Sequence, residues 1–245
     1  MATIKRSPLD WFGSEYYLKL YRNRNFAEAQ YFIDNLLNYL QPKSKCCVVD
    51  VCCGRGRHSL YLSKKGFSVT GIDLAEESIA FAKQHESENL KFQVQNILDG
   101  FGTEKYNLAL NLFTSFGYFD NDEHSLKALL NVANCLRSGA SFVIDYLNEI
   151  KVARNLVANN HVEIDNIQFK IKRWADDKFI RKQVDVSDGD KSFVFSEQVR
   201  RFGLSDFEQM LKQGGLEIKS VFGDYELKKF DEKHSERLII HAVKK

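Results

Sequence analysis

The stretch Val48-Val49-Asp50-Val51-Cys52-Cys53-Gly54-Arg55-Gly56-Arg57-His58 concentrates residues able to hold a ligand, and Asp73 follows 23 residues after Asp50. Glycine gives the backbone dihedrals that other residues avoid and lets it approach a ligand closely. A helix opening on such a turn offers unpaired N–H groups to a carboxylate or phosphate. An acid that ends the following strand accepts hydrogen bonds from ribose hydroxyls. Asp50, Gly54, Gly56 and Asp73 together therefore describe a crevice for a nucleotide-type cofactor. A dinucleotide calls for G-x-G-x-x-G. Here Ser59 stands where the third glycine would fall, so that fingerprint is incomplete.

Other residues carry weaker chemistry. His58, in the first turn after the glycines, either meets a ligand or packs against a neighbouring strand. Glu197 alternates with Phe193, Phe195 and Val199 on one strand face. Such a carboxylate is either a base with a raised pKa or the partner of an arginine, with Arg173, Arg181 and Arg201 as candidates. Phe113-Thr114-Ser115-Phe116-Gly117-Tyr118-Phe119 is an aromatic loop at a strand exit. Thr114, Ser115 and Tyr118 are its substrate-facing candidates, Tyr118 also a catalytic one, and Tyr146 holds a similar position after a later strand. None of these fixes a catalytic residue.

The elements that must position these groups alternate. Strands are expected at Cys47–Val51, 67–73, 90–94, 106–112 and 140–146, from short β-branched runs bounded by turn residues. Helices are expected over 75–85, with an acidic first turn, and over 123–137, with Gly139 just past its end. Residues 16–40 read as one helix with Ala29, Phe32, Ile33, Leu36, Leu37 and Leu40 on one stripe. Beyond residue 161 the period becomes two, and Ser187-Asp188-Gly189-Asp190 marks a hairpin. Ser205 is placed to cap a helix that ends at Gly214-Gly215, and two closing strands, 216–222 and 237–243, are near enough to pair antiparallel. The fold class is α/β: a doubly wound, mostly parallel seven-stranded sheet with helices on both faces, an antiparallel C-terminal hairpin and an inserted antiparallel β meander. The expected organisation is an N-terminal helical lid over 1–45, a cofactor-binding domain over 46–160 and 203–245, and an inserted substrate or interaction subdomain over 161–202.

At 245 residues and 44% hydrophobic, the chain suits one large domain carrying an insertion. Its net charge of +2 argues against a globally basic nucleic-acid surface. No apolar run is long enough to span a bilayer, and 1–10 has no apolar signal core, which points to the cytoplasm. The five cysteines, Cys46, Cys47, Cys52, Cys53 and Cys135, fit reduced thiols. A zinc site is not expected, because Cys46 and Cys47 open a strand and point to opposite faces.

Asp50-Val51-Cys52-Cys53-Gly54-Arg55-Gly56 resembles the first motif of the class I S-adenosylmethionine-dependent methyltransferases, commonly D-x-G-C-G-x-G, and Gly71-Ile72-Asp73-Leu74 resembles their second. The resemblance covers 46–146 well and the closing hairpin more loosely. It implies S-adenosylmethionine as cofactor and methyl transfer to an N or O atom of an acceptor. The cofactor-binding residues it implies are Asp50, Cys52, Cys53, Gly54, Gly56, Arg57, Asp73, Leu74, Asn96, Ile97, Leu112 and Phe113. Two positions depart from the pattern: Cys52 replaces the first glycine, and Asn96 replaces an acid near the adenine. The meander and the tyrosines at 16, 17 and 21 look like small-molecule N-methyltransferases of the amino-sugar and glycine types, which implies Tyr17 closing over the cofactor; ordinary amphipathic packing is the other reading of these tyrosines. The fourth-strand exit lacks the Pro-Pro-aromatic continuation of enzymes that clamp a flipped base. A small-molecule acceptor, no metal, and a monomer or homodimer are expected. A SAM-binding protein without catalysis and an NAD(P)-linked oxidoreductase stay open as alternatives.

Overall fold

The structure is a computed structural model that describes residues 4–6, 8–22, 26–119 and 121–245. The chain divides into two units, the larger Phe26–Lys151 with Phe202–Lys245, the smaller Met1–Asn25 with Val152–Arg201.

The larger unit contains strands β1 (Cys47–Val51), β2 (Ser68–Asp73), β3 (Leu90–Val94), β4 (Tyr106–Asn111), β5 (Leu136–Leu147), β6 (Leu216–Phe222) and β7 (Arg237–Lys244). Their order across the sheet is β6-β7-β5-β4-β1-β2-β3. β1 to β5 pair parallel, while β7 runs antiparallel to β5 and β6 antiparallel to β7. The order reverses beside β1, between β2 and β4. In open α/β sheets such a reversal leaves a crevice at the strands' carboxyl ends.

β1 is a strand because Val48, Val49 and Val51 are β-branched and wholly buried. Its helices are α1 (Phe26–Leu40), α2 (Arg57–Lys64), α3 (Glu76–Lys83), α4 (Asp122–Cys135) and α5 (Leu204–Gln213). Phe32, Ile33 and Leu36 of α1, Leu62 of α2 and Ile79 and Ala82 of α3 share one core with Val48, Leu108, Leu110 and Val143 of the sheet. Two helix ends differ from the sequence reading. α4 is capped by Asn121, whose side chain accepts the His124 N–H at 2.8 Å, and it passes straight into β5 at Leu136. α5 is capped by Gly203, whose N–H donates to Asp206 at 2.8 Å, not by Ser205.

The smaller unit holds a five-stranded sheet in the order Ile4–Arg6, Lys191–Arg200, Phe179–Asp188, Ile167–Ala175, Asn159–Ile164. The last four form an antiparallel meander, and Ile4–Arg6 pairs parallel with Lys191–Arg200. Helices Pro8–Gly13 and Glu15–Leu20 supply Trp11 and Tyr16 to a core with Phe169, Val184, Val186 and Phe195. The single helix read over 16–40 is thus two helices in different units. Ser14 starts the first, its Oγ accepting the Tyr17 N–H at 3.1 Å. Among the described residues no helix is long and apolar enough to cross a membrane.

Candidate functional site

The glycine turn lies at the carboxyl end of β1. Cys52 is left-handed (φ 60°), as are Gly54 (φ 56°) and Gly56 (φ 78°). For Cys52 that conformation costs about 1–2 kcal/mol, which is the structural consequence of its replacing glycine. The turn is pinned by the Cys53 N–H to the Ile72 carbonyl at 2.9 Å and the Gly56 N–H to the Cys53 carbonyl at 3.0 Å. A Cβ on Gly56 would sit 2.5 Å from the Phe92 ring, whereas one on Gly54 would meet nothing within 4 Å. Gly56 therefore serves packing, and Gly54 faces open space.

Asp73 closes β2 and braces the turn. Its Oδ2 accepts the Gly54 N–H and its Oδ1 the Ala75 N–H, both at 2.8 Å. Each oxygen keeps a second lone pair for a ligand hydroxyl. Burial raises its pKa, and the backbone N–H groups oppose that shift. Asp50 faces the interior of the fold. It is 1% exposed, and its carboxylate takes the Ser59 hydroxyl at 2.5 Å. Burial raises its pKa to about 6 against those Ser59 bonds. Asp50 anchors the first turn of α2, which has no side-chain cap of its own.

Arg57 and His58 open α2 against Phe113 at the exit of β4. The Arg57 guanidinium lies 4.1 Å from the Phe113 ring centroid, and the His58 and Phe113 rings are 5.0 Å apart. Burial, then the Arg57 charge, pushes the His58 pKa down to about 3. His58 is therefore neutral near pH 7 and carries no proton to donate as an imidazolium. Because its folded pKa lies below the ordinary value of 6.5, its contribution to stability is complete above pH 6.5 and is lost as pH falls through that window toward 3. Urea unfolding from pH 7.5 to 4.5 should show His58→Gln losing less stability with acid than the natural sequence, whereas Asp50, whose raised pKa lets the folded protein take up a proton near pH 6, acts in the opposite sense in both proteins. His241, also pushed down by burial, to about 4, adds to the loss with acid in both proteins.

Two buried polar atoms point to a missing partner. Among the described residues, Asn111 Oδ1 and His58 Nε2 accept and donate no hydrogen bond. Asn111 ends β4 at the reversal of strand order, its Nδ2 donating to the Val51 carbonyl at 3.1 Å. A buried amide oxygen without a partner costs free energy, and a ligand N–H would satisfy it. In the sequence Asn111 stands only as the first residue of the fourth-strand exit Asn111-Leu112-Phe113-Thr114, with no signal for its buried amide.

The remaining candidates fall in several places. Leu74, next to Asp73, is exposed. Asn96 caps a short 3-10 turn (Ile97–Asp99) with its Oδ1 on the Leu98 N–H at 2.9 Å, leaving its NH2 group as the side available to a ligand. Ile97, Leu112 and Cys53 are buried. Burial, with the nearby aspartates, raises the Cys52 and Cys53 thiol pKa values, which keeps both protonated. Thr114 follows Phe113 in the turn beyond β4, and the Ser115 Oγ donates to the Leu112 carbonyl at 2.8 Å. Tyr118 is half-buried.

Two expectations need correction. Tyr146 does not face substrate: it is fully buried against Phe202 and Phe207, and its hydroxyl fills the space a Gly117 Cβ would need. Glu197, in the smaller unit, pairs with Lys182 directly across the strand and with none of the three arginines considered. Its carboxylate is committed to a buried ion pair whose lysine also donates to the Tyr21 hydroxyl. Tyr17 stands in the aromatic cluster of the smaller unit, edge-on to Trp11 at 5.5 Å and near Phe12.

An open sheet with reversed strand order, a left-handed glycine turn and an acid closing the next strand define a Rossmann-like nucleotide-cofactor domain. Comparison with known proteins fixes the family. The family described as "Methyltransferase domain" matches residues 42–178, more than half of the 245. The chain belongs to that family and is a class I S-adenosylmethionine-dependent methyltransferase. It is 26% identical over 188 residues to YqeM of Bacillus subtilis, which bears a provisional methyltransferase name, covering 73% of this chain and 76% of that one. Its fold is similar to an S-adenosylmethionine-dependent methyltransferase of Clostridium acetobutylicum, with TM-score 0.79, 22% identity, and 94% and 96% of the two chains covered. It is also similar to the sugar N-methyltransferase KedS8 of a Streptoalloteichus species, with TM-score 0.71, 19% identity, and 95% and 94% covered.

Proposed function

We propose that the chain transfers the methyl group of S-adenosylmethionine to an N or O atom of a small-molecule acceptor. The observation that carries this reading is the open face of Gly54 beside the Asp73 carboxylate, at the carboxyl end of β1. S-adenosylmethionine, when bound, supplies a methyl group activated on a sulfonium centre. The residues present fit its other parts. Asp73 would accept the ribose hydroxyls through its remaining lone pairs. Asn111 Oδ1 would accept from the amino group, which ends its isolation. The turn leading into α2 offers backbone N–H groups to the carboxylate. Leu74, Ile97 and the Asn96 amide would line the adenine side. Asp50 acts on all of this through the turn it anchors.

Catalysis here rests on placement. Holding the acceptor atom in line with the methyl supplies much of the rate, and a general base is not obligatory. Neither His58, buried and neutral, nor Glu197, in its ion pair, is the base we favour. Thr114, Ser115 and Tyr118 remain the residues proposed to meet the acceptor. The small-molecule class draws on KedS8, a sugar N-methyltransferase of similar fold. A dinucleotide fits less well, because Ser59, at the position of the third glycine, is held by Asp50.

The test is incubation with methyl-labelled S-adenosylmethionine and a metabolite extract, followed by mass analysis. Label in a low-mass N- or O-methylated product is expected. Label in RNA or protein alone would overturn the acceptor class, and binding without transfer to any acceptor would overturn catalysis.

A further inference from the structure

The exit of β4 is held in a conformation that its own residues disfavour. Phe113 (φ 59°) and Thr114 (φ 58°) are consecutive left-handed residues, and neither is glycine. Thr is β-branched, so the position is strained and must be imposed from outside. The imposing groups lie on β5 and β7. Asp145, wholly buried in β5, accepts the Phe113 N–H on Oδ2 at 2.8 Å, and its carbonyl accepts the Thr114 N–H at 2.9 Å. Arg237, which opens β7, donates from Nε to Asp145 Oδ1 and from Nη2 to Thr114 Oγ1, both at 2.7 Å. The Tyr225 hydroxyl closes the set on Asp145 Oδ2 at 3.3 Å.

The turn so held carries Phe113, and the Phe113 ring carries Arg57 and His58 of the first turn of α2. The Asp145–Arg237 ion pair is thus linked by contact to the strand exit and to the helix that opens from the glycine turn. An aspartate–arginine pair that serves the stability of a sheet alone requires no hydrogen bonds to two left-handed backbone positions.

We propose that Asp145 and Arg237 are positioning residues. They hold Phe113 and Thr114 in left-handed backbone, and through Phe113 they keep the cofactor crevice in its binding-competent shape. The cofactor in this statement rests on the methyltransferase reading, whereas the hold on the turn does not.

Two readouts keep these separable. The first is amide hydrogen exchange at Phe113 and Thr114 in the ligand-free protein. Asp145→Asn and Arg237→Gln should speed it at least tenfold, with Val49 of β1 unchanged. Equal acceleration at Val49 would mean a general structural role and overturn the proposal, as would unchanged exchange at 113 and 114. The second is calorimetric titration with S-adenosylmethionine and its demethylated product. Both variants should bind at least tenfold more weakly than the natural sequence. Thr114→Val, which removes the Arg237 acceptor and spares the ion pair, should weaken binding about threefold and keeps the test open if Asp145→Asn does not fold. Natural affinity in a folded variant with a loosened turn would overturn the link to the crevice. Failure of the natural sequence itself to bind either ligand would overturn the methyltransferase reading, and the exchange result would still decide the hold on the turn.

Discussion

Gly54→Ala should leave the protein folded and sharply weaken binding of S-adenosylmethionine, while Gly56→Ala should damage the fold itself. Both glycines are left-handed, so alanine costs each about 1–2 kcal/mol of backbone strain. Their surroundings differ. The Cβ at 54 meets no atom within 4 Å and projects into the open space beside Asp73. A methyl group there takes volume from the bound cofactor, so the loss should appear in affinity, on the order of 100-fold or more, about 2.7 kcal/mol. The Cβ at 56 lands 2.5 Å from two ring carbons of Phe92, a buried residue of β3. Overpacking of this kind costs about 1–3 kcal/mol beyond the backbone strain. The sum, roughly 2–5 kcal/mol, should lower the melting temperature by about 4–20 °C, at some 2–4 °C per kcal/mol for a chain of this size. Thermal unfolding and calorimetric titration of the two variants separate the effects. A Gly54→Ala protein that bound the cofactor normally would mean that the ligand does not pass over this turn.

The sheet was legible because its strands declare themselves: short apolar runs, the central β1 buried on both faces, between glycines and charged turns. The crevice followed from Asp50, Gly54, Gly56 and Asp73, since each stands at or near a strand end. What escaped depended on partners distant in sequence. The two N-terminal helices read as one because their apolar stripes run on without a glycine or proline to break them. Which core each stripe joins is a tertiary fact, and Tyr16 belongs with Phe195 and not with Phe32. Glu197 reads as a base or as the partner of an arginine, although the hairpin turn at Ser187-Asp188-Gly189-Asp190 already implies its partner. Counting outward from that turn sets Lys182 opposite Glu197. Asp145 did leave a signal, an acid inside the apolar run Phe142-Val143-Ile144. Nothing in the sequence names Arg237 as its counter-ion. Tyr146 was misjudged because a residue at a strand's end is as readily buried beneath a helix as turned toward a ligand.

Asp73→Ala should weaken S-adenosylmethionine binding most, because it removes two functions at once. The carboxylate holds the Gly54 and Ala75 N–H groups and supplies the lone pairs proposed for the ribose hydroxyls. Hydrogen bonds to a charged group contribute about 1.5–3 kcal/mol each. Two lost ribose contacts therefore predict roughly 3–6 kcal/mol, a fall in affinity of about 10²–10⁴. Asp73→Asn distinguishes the two functions. The amide keeps one acceptor oxygen but turns its NH2 toward a backbone N–H, so it should lose less ribose affinity and still loosen the turn. Acid should mimic the alanine variant in the natural sequence. Because burial raises the Asp73 pKa, the carboxylate takes up its proton at a higher pH than an exposed aspartate would. Affinity should therefore be greatest near neutrality and fall as pH drops toward that raised value. That pH dependence should vanish in Asp73→Ala. Titrations of the three proteins between pH 8 and pH 5 give both comparisons. If Asp73→Ala melted earlier yet bound the cofactor as tightly as the natural sequence, Asp73 would be a brace for the glycine turn and nothing more, and the ribose would have to be held elsewhere.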